Sequence, residues 1–199
     1  MIPRQPFLTH INLILTIVIV AAMLVSCNNP PAPRPKGYFR LALPEKEYTH
    51  FDMNFPYAFD YPVYASVLPN TSEMTEPWWC DVNFPGFKAK LHLSYKPIRD
   101  NLSNYINDTH IMVSKLIPKA TGIKEDFIRD DENKVYGIIF NIGGSGVAST
   151  YQFFVTDSTR HFLRGALYFN VIPNNDSLAP IIDFLKEDIQ HMISSLRWK

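Results

Sequence analysis

The pattern of apolar and polar positions divides the chain into an apolar N-terminal run, a proline-rich stretch and a long patterned region. Residues 11–25 include only Asn12 and Thr16 as polar members. This run is shorter than the roughly 20 apolar residues of a membrane-spanning helix and is typical of the core of a signal peptide. Residues 28–37 read NNPPAPRPKG, a composition that favours an extended tether over a packed element. We therefore expect the folded region to begin near Tyr38.

Strand patterns occupy most of that region. Residues 38–85 are dense in aromatics and prolines, which predicts short strands interrupted at the prolines, because proline removes a ladder hydrogen-bond donor. Residues 87–95 alternate between apolar and polar side chains and predict a strand with one buried face. Three further strand patterns cover residues 135–142, 148–156 and 161–172. They are separated by GGSG at 143–146 and DSTR at 157–160, two hairpin signals that predict an antiparallel meander.

Two segments show apolar residues at helical spacing. The first begins after Asp100, a candidate cap, and is expected to end before Pro118. The second begins at Asp176, has Pro180 in its first turn and continues to Leu196 in steps of three and four. An antiparallel sheet with one inserted and one terminal helix predicts an α+β fold in which both helices pack on the sheet. The order of elements looks like the layered sandwich shared by the photosystem protein PsbP and the Ran-binding protein Mog1.

The N-terminal run ends in Leu24-Val25-Ser26-Cys27, which resembles the lipobox of bacterial lipoproteins. Cleavage before Cys27 would leave an acylated cysteine, palmitate among its acyl chains, as the first residue. The expected organisation is a signal peptide at 1–26, a lipidated proline-rich tether at 27–37 and a single globular α+β domain at 38–199. The other interpretation is an uncleaved N-terminal anchor helix, and both place the domain at a membrane.

Charge and cysteine usage narrow the classes of function. The chain carries 19 Lys and Arg against 19 Asp and Glu, without a basic cluster interleaved with aromatics, which argues against a nucleic-acid partner. Its two cysteines are Cys27 and Cys80. Once Cys27 is acylated, Cys80 has no partner for an internal disulfide.

The candidates for catalysis and metal binding are weak. Asp108 and His110 lie two positions apart, which places them on different sides of a helix. Cys80 precedes Asp81, and a neighbouring carboxylate raises the pKa of a thiol, which opposes thiolate chemistry. We therefore expect neither an enzyme, nor a metal site, nor a cofactor.

An aromatic cluster is the candidate interaction surface. Trp78 and Trp79 are adjacent, so in a strand their side chains point to opposite faces and at least one can be exposed. Together with Phe84 and Phe87 they form a candidate surface for a protein partner. The other interpretation is that both tryptophans fill the core.

Several segments in fixed order carry a resemblance to a known family. They are the lipobox, PKGYFRLALPEKEY, FPYAFDYPVYA, WWCDVNFPGFKAKLHLSYK and NYINDTH at 104–110. From the lipobox to the C-terminus, the chain resembles the gliding-motility lipoprotein GldD family of Bacteroidetes. The resemblance implies a non-catalytic envelope component of gliding motility and of the associated type IX secretion machinery. Among functional positions, it carries over only the acylated Cys27.

The expected function is that of a membrane-tethered assembly lipoprotein that binds other gliding and secretion proteins of the envelope. The alternative is a periplasmic carrier or sensor for a small apolar or glycan ligand, suggested by the aromatic residues of 38–95. Asn28-Asn29-Pro30 lacks the acidic residues that usually follow the cysteine of surface-exported lipoproteins in this phylum, so we expect a periplasm-facing domain in either membrane. Asp157-Ser158-Thr159 resembles an O-glycosylation motif of that phylum, which makes Ser158 a candidate modification site.

Overall fold

The computed structural model describes residues 15–16, 42–70 and 75–199. From residue 42 onward these belong to one compact unit, Tyr38–Lys199. The described part forms the strands β1 Tyr48–Phe51, β2 Tyr57–Pro62, β3 Ser66–Pro69, β4 Cys80–Phe84, β5 Ala89–Pro97, β6 Gly122–Asp130, β7 Val135–Gly143, β8 Tyr151–Thr156, β9 His161–Phe169 and β10 Arg197–Trp198. Its α-helices are α1 Leu102–Ser114 and α2 Asn175–Ser194, and short 3₁₀ turns cover Pro85–Phe87 and Ile117–Lys119.

The described strands form two antiparallel sheets. The larger has the order β3-β4-β5-β9-β8-β7-β6, and the smaller has the order β1-β2-β10. In the larger sheet, β5 pairs with β9 over nine residues from each strand, although α1 and three other strands lie between them in the chain. The sheet is therefore held together at its centre by long-range pairing.

Each face of the larger sheet covers a separate hydrophobic core. The main core lies beneath α2 and the smaller sheet, and it includes buried residues of β4, β5, β8 and β9 as well as Leu185, Ile189 and Met192 of α2. The second core lies beneath α1, where Val113 packs with residues such as Phe140, Phe154 and Phe162. The domain is thus layered, with a helix on either side of the sheet, and the predicted α+β class is confirmed.

The most strongly patterned elements agree with the sequence. Ala89, Leu91, Leu93 and Tyr95 of β5 are buried while their neighbours along the strand are half-buried, and the meander of β7, β8 and β9 forms as expected. The prolines also act as predicted. β2 ends at Pro62, β3 ends at Pro69 and β4 ends before Pro85.

The helix boundaries differ from the predicted ones. The N-cap position of α1 is Asn101 and not Asp100, which has a positive φ of 59° and therefore lies outside the helix. The N-cap position of α2 is Asn174 and not Asp176, which instead lies in the first turn. Neither asparagine side chain makes a capping hydrogen bond. At its other end α2 stops at Ser194, so that Leu196 leaves the helix and enters the main core.

Two strands had no prediction. β6 has mostly exposed or half-buried residues, because it lies at the edge of the sheet and its GIKEDFIRD sequence is polar on both faces. β10 is only two residues long and exists through its pairing with β2, Arg197 opposite Ala58 and Trp198 opposite Tyr57. Neither strand has the period-two pattern on which the sequence predictions depend.

Candidate interaction surface

A groove lies between α1 and the adjoining part of the larger sheet, and we name it the α1 groove. Its volume is about 220 Å³. It is lined by Trp79, Ser94, Lys96, Tyr105, Asp108, Thr109, Met112, Phe162 and Arg164.

The pairing of β5 with β9 supplies the floor of the α1 groove. Ser94 lies opposite Arg164, and Lys96 lies opposite Phe162. Because side chains alternate between the faces of a sheet, these four residues share the face that carries α1, while their neighbours along each strand face the main core. Strands far apart in the sequence therefore place two cations side by side on this face.

The wall of the groove comes from one face of α1. Tyr105, Asp108, Thr109 and Met112 follow each other at steps of three, one and three, so they lie on the same side of the helix. Thr109 is buried, and its hydroxyl donates a hydrogen bond to the carbonyl oxygen of Tyr105 at 2.9 Å. Met112 remains 46% exposed and gives the wall an accessible apolar side chain.

Trp79 is fixed in place by polar contacts. Its indole N–H donates to the carbonyl oxygen of Tyr95 at 2.9 Å. The Lys96 ammonium lies 5.5 Å from the centre of the Trp79 ring, within the range of a cation–π contact, and forms an ion pair with Glu76. The ring is therefore held as a rigid aromatic surface at the end of the groove.

Arg164 is the most unusual residue in the groove. One guanidinium nitrogen, Nη2, donates to the Gln152 side-chain oxygen at 2.5 Å. Its buried Nε has no hydrogen-bond partner among the described residues, and burial lowers the pKa of the guanidinium. Buried donors in folded proteins are nearly always paired, so the unpaired Nε is an unusual feature of this part of the sheet.

The four aromatic residues predicted as one surface do not lie together. Trp78 is 43% exposed and packs edge-on against Tyr95 at 5.7 Å, whereas Trp79 lines the α1 groove. Phe84 has to be corrected: it is 1% exposed, because it belongs to the buried face of β4 and packs in the main core. Phe87 is half-buried and contacts Phe184 of α2 at a ring distance of 5.6 Å. Trp78 is therefore the one exposed member of the predicted surface, whereas Trp79 and Phe87 are half-buried.

Cys80 lies in the main core with its thiol enclosed. Its Sγ is 3.4 Å from the Tyr57 hydroxyl, and burial raises the pKa of the thiol to about 12. A thiol that stays protonated at neutral pH is a poor nucleophile.

Asp108 and His110 face different grooves. Asp108 lines the α1 groove, whereas His110 lines an open groove of about 530 Å³ on the other side of α1, together with Ile123 and Glu125 of β6. The His110 ring packs edge-on against Phe140 at 5.3 Å. The two residues therefore do not form an acid–base pair.

Another histidine does meet a carboxylate, on the part of the sheet that α1 leaves open. The buried Asp81 carboxylate contacts His92 Nδ1 at 2.6 Å and accepts hydrogen bonds from Lys90 Nζ at 3.2 Å and Asn70 Nδ2 at 3.4 Å. These contacts make an internally satisfied ion-pair network. No set of three or more His, Cys, Asp or Glu side chains in the described residues is arranged to hold a metal ion.

Of the two candidate modification sites, Ser158 and Cys27, only Ser158 lies among the described residues. Ser158 lies exposed in the β8–β9 turn with a φ of 68°, and its backbone N–H donates to the Thr156 hydroxyl at 2.9 Å. Its hydroxyl is accessible, and its glycosylation stays a prediction. Cys27, the predicted lipidation site, lies outside the described residues.

Of the groove residues, the sequence had singled out only Trp79 and, as a weak candidate for catalysis or metal binding, Asp108. Arg164 interrupts an otherwise apolar strand, HFLRGALYF, and a lone cation in such a strand is a signal that could have drawn attention to it. Lys96 and Met112 carry no comparable signal. Their meeting depends on the β5–β9 pairing and on the position of α1.

Fold and groove together place the chain among layered α+β proteins whose antiparallel sheet lies between helices. The chain belongs to the gliding motility lipoprotein GldD family, whose model matches residues 28–198. Membership gives the chain a part in gliding motility as a lipoprotein, with a place in the cell envelope and an association with its membrane.

The solution structure of the cyanobacterial PsbP protein of Synechocystis sp. PCC 6803 is similar, with a TM-score of 0.45 and 11% sequence identity, over 81% of this chain and 98% of that chain. No curated protein sequence matches the chain. None of the helices in the described residues is long and apolar enough to cross a membrane.

Proposed function

We propose that this protein is a non-catalytic assembly component of the gliding machinery and of the associated type IX secretion system of Bacteroidetes. In this proposal a lipid on Cys27 holds the domain at the membrane, residues 28–37 act as a tether, and the domain faces the periplasm. The α1 groove binds a protein partner of the envelope. The composition of that groove carries the proposal.

The groove is rich in the residue types that dominate protein interfaces. Trp, Tyr, Met and Arg are enriched at interfaces, and Trp, Tyr and Arg supply most of the residues whose loss costs more than about 2 kcal/mol of binding free energy. Trp79, Tyr105, Met112 and Arg164 bring all four types within one groove. Arg164 adds a positive charge to the lining of the groove, which favours a partner that presents an acceptor such as a carboxylate or a backbone carbonyl there.

The tether makes a modest affinity sufficient. A lipid confines the domain to the membrane surface, which raises its effective concentration near other membrane components. Ten residues at about 3.1 Å each would let the domain reach up to roughly 30 Å from the membrane. A groove of this size can therefore serve a partner held in the same membrane.

The carrier or sensor alternative has less support. The aromatic residues that suggested a ligand cavity are largely used in the core, where Tyr57, Phe59 and Phe84 are buried. The α1 groove, at about 220 Å³, is smaller than the roughly 300–1,000 Å³ typical of ligand pockets. The groove beside His110 reaches that range at about 530 Å³, but it is open and its lining includes none of the aromatic residues of 38–95 that suggested a ligand. The size of the α1 groove suits one or two side chains of a protein partner.

Matched variants of α1 test the proposal. Met112 and Ile111 are adjacent and equally exposed, at 46%, but only Met112 lines the α1 groove. Met112→Glu introduces a charge into the groove and should weaken partner binding by roughly ten-fold or more, so a strain that carries it should lose gliding. Ile111→Glu is the control and should glide normally at the same protein level. Equal gliding of the two strains would contradict the proposed role of the groove.

A further inference from the structure

β6 forms an open edge of the larger sheet. It is the last strand in the sheet order, and among the described residues it pairs only with β7. Near its centre Phe127 is 81% exposed, which is unusual for an aromatic side chain on a strand. An edge of nine residues is a template on which another strand can pair.

The register of the sheet shows which backbone groups point outward from this edge. The Ile142 N–H donates to the Thr150 carbonyl at 2.8 Å, so the even-numbered residues of β7 bond to β8 and its odd-numbered residues bond to β6. Gly137 and Ile139 of β7 lie opposite Ile128 and Asp126. The even-numbered residues of β6 therefore bond to β7, and the odd-numbered residues, Phe127 among them, direct their N–H and C=O groups to the open edge.

This parity restricts how a second copy of β6 could pair with the first. In an antiparallel pair the outward-pointing groups of both strands must meet, so an odd-numbered residue has to face an odd-numbered residue. With Phe127 opposite Phe127, Glu125 faces Arg129 and Lys124 faces Asp130, and symmetry repeats both pairs. Every charge pair in this register is attractive.

The neighbouring registers are repulsive. If Phe127 lies opposite Glu125 of the second copy, Asp126 lies directly opposite Asp126. If Phe127 lies opposite Arg129, Asp126 lies opposite Asp130 and Glu125 lies opposite Asp131. Like charges directly opposite each other in a sheet are destabilising. The order of charges along β6 thus favours the register centred on Phe127 and disfavours the two neighbouring registers.

We propose that β6 is a homodimer interface, in which two copies pair antiparallel about Phe127 and join their larger sheets into one. The charges that usually protect an edge strand here become complementary in that single register. The two Phe127 side chains would cover each other on the face that carries α1. Cross-strand pairs of aromatic and of opposite charges each contribute to such a pairing.

Little has to be broken to form this dimer. Lys124 contacts Asp126 at 2.7 Å and Arg129 contacts Asp131 at 3.0 Å, but both basic side chains are more than 70% exposed, and exposed ion pairs contribute little. Lipid anchoring would hold both copies in one membrane and favour their encounter. β6 lies at the edge of the sheet farther from β5, so dimerisation would leave the α1 groove accessible to another partner.

Cysteine cross-linking in native membranes tests the dimer with the full-length lipidated chain. Phe127→Cys places an exposed thiol at the symmetry axis, where the two Cα atoms of a hydrogen-bonded pair lie about 5.5 Å apart and within disulfide range. Mild oxidation should yield a covalent dimer. Ile172→Cys, at a position that is 90% exposed and outside β6, is the control and should yield at least ten-fold less.

A charge swap then tests the register. Glu125→Arg, added to Phe127→Cys, should lower the dimer yield at least five-fold because it places two arginines opposite each other. Arg129→Glu added to both should restore the yield, because each pair is attractive again with its signs exchanged. Asp183→Lys, on the exposed face of α2, should change nothing. The proposal is overturned if Phe127→Cys gives no homodimer or joins only to another protein, or if the charge swap fails to restore the yield.

Discussion

Asp188 of α2 is a buried carboxylate with three partners from the N-terminal part of the domain. It is 1% exposed and accepts hydrogen bonds from Lys46 Nζ at 2.7 Å, from the Tyr48 hydroxyl at 3.0 Å and from the Tyr64 hydroxyl. The Lys46 ammonium also lies 3.5 Å from the centre of the Phe184 ring. These contacts fix the segment that follows the tether onto α2.

Asp188→Asn should therefore destabilise the domain while it preserves the shape of the side chain. The variant leaves Lys46 without its buried counter-charge, and we expect the free energy of unfolding to fall by about 2–4 kcal/mol. Asp183→Asn, on an exposed ion pair with Lys186, should change it by less than about 0.5 kcal/mol. Chemical denaturation of both variants measures the difference, and equal stabilities would contradict the role given to Asp188.

Buried acids of high pKa make stability depend on alkaline pH. Burial raises the pKa of the Cys80 thiol to about 12, and burial together with the hydrogen bond to Asp188 raises the pKa of Tyr48 to about 12. In the unfolded chain these groups lose their protons near pH 8.5 and 10. Between those values and pH 12 the unfolded state binds fewer protons than the folded state, so the unfolding free energy falls as pH rises.

The fall in unfolding free energy at the lower end of this pH range is assigned to one residue, Cys80. Below pH 10 the decline should come from Cys80, so Cys80→Ala should have a flatter profile between pH 8.5 and 10 than the unaltered chain. Denaturation midpoints measured across this range test it. A stability that is constant or rises from pH 8.5 to 10 in the unaltered chain would show that the thiol does not titrate in this way.

Among the elements, β7 and β8 approach each other at a distance that only glycine permits. A Cβ atom at Gly137 of β7 would lie 1.9 Å from the backbone oxygen of Phe154 on β8. Backbone atoms of a strand that is paired on both sides cannot move away as a flexible side chain could. The pairing of β7 with β8 therefore requires glycine at this position.

Gly137→Ala should destabilise the domain by about 2–4 kcal/mol, because its Cβ atom overpacks the contact between β7 and β8. Gly122→Ala in β6 is the matched control, since a Cβ atom there would meet nothing within 4 Å, and its effect should be within about 0.5 kcal/mol. Thermal unfolding of the two variants compares them directly. A neutral Gly137→Ala would mean that the two strands are less close than described.

Strands and helices with a regular buried face could be predicted from the sequence, whereas elements that form through pairing with distant residues could not. β5 and α2 each bury one regular face, so their sequences carry the strand and helix periods in full. β6 could not be recognised because an edge strand buries little, and β10 could not because its pairing with β2 joins the two ends of the domain. The predicted N-cap positions were wrong by one residue for α1 and by two for α2. Asp and Asn are both favoured at N-caps, so the sequence does not distinguish Asp100 from Asn101 or Asp176 from Asn174.

The candidate site shows the same limit. The sequence indicated Trp78 and Trp79 but paired them with Phe84, whose burial follows from its place on the inward face of β4. The residues that line the α1 groove lie up to 85 positions apart in the sequence, from Trp79 to Arg164. They meet only because β5 pairs with β9 and α1 packs on that face. No local pattern encodes such a meeting.

At the scale of the whole molecule, the proposed lipid on Cys27 would hold at the membrane a domain that is proposed to bind through its surface. Family membership supplies the lipoprotein character and the part in gliding, and the α1 groove is the proposed place for a partner. The proposed β6 dimer and the α1 groove use different parts of the larger sheet, so a pair of anchored domains could present two grooves. The lipid on Cys27 remains the step on which this arrangement depends.

Cys27→Ala should release the protein from the membrane. Without acylation and the cleavage coupled to it, the chain should be found unprocessed or in soluble fractions, and gliding should be lost although the domain still folds. Fractionation of cells followed by detection of the chain and its size measures this. If the variant stays in the membrane fraction at the processed size, the lipid does not anchor the protein.

The central claim is that a partner occupies the α1 groove in the living envelope, and site-specific photo-cross-linking tests it most directly. A photoreactive amino acid is placed at Met112, or at Ile111 as the equally exposed control, in the full-length chain of gliding cells. A discrete adduct with an envelope protein is expected from position 112, and little or none from position 111. No adduct from position 112, or the same adduct in equal amounts from both positions, would contradict it.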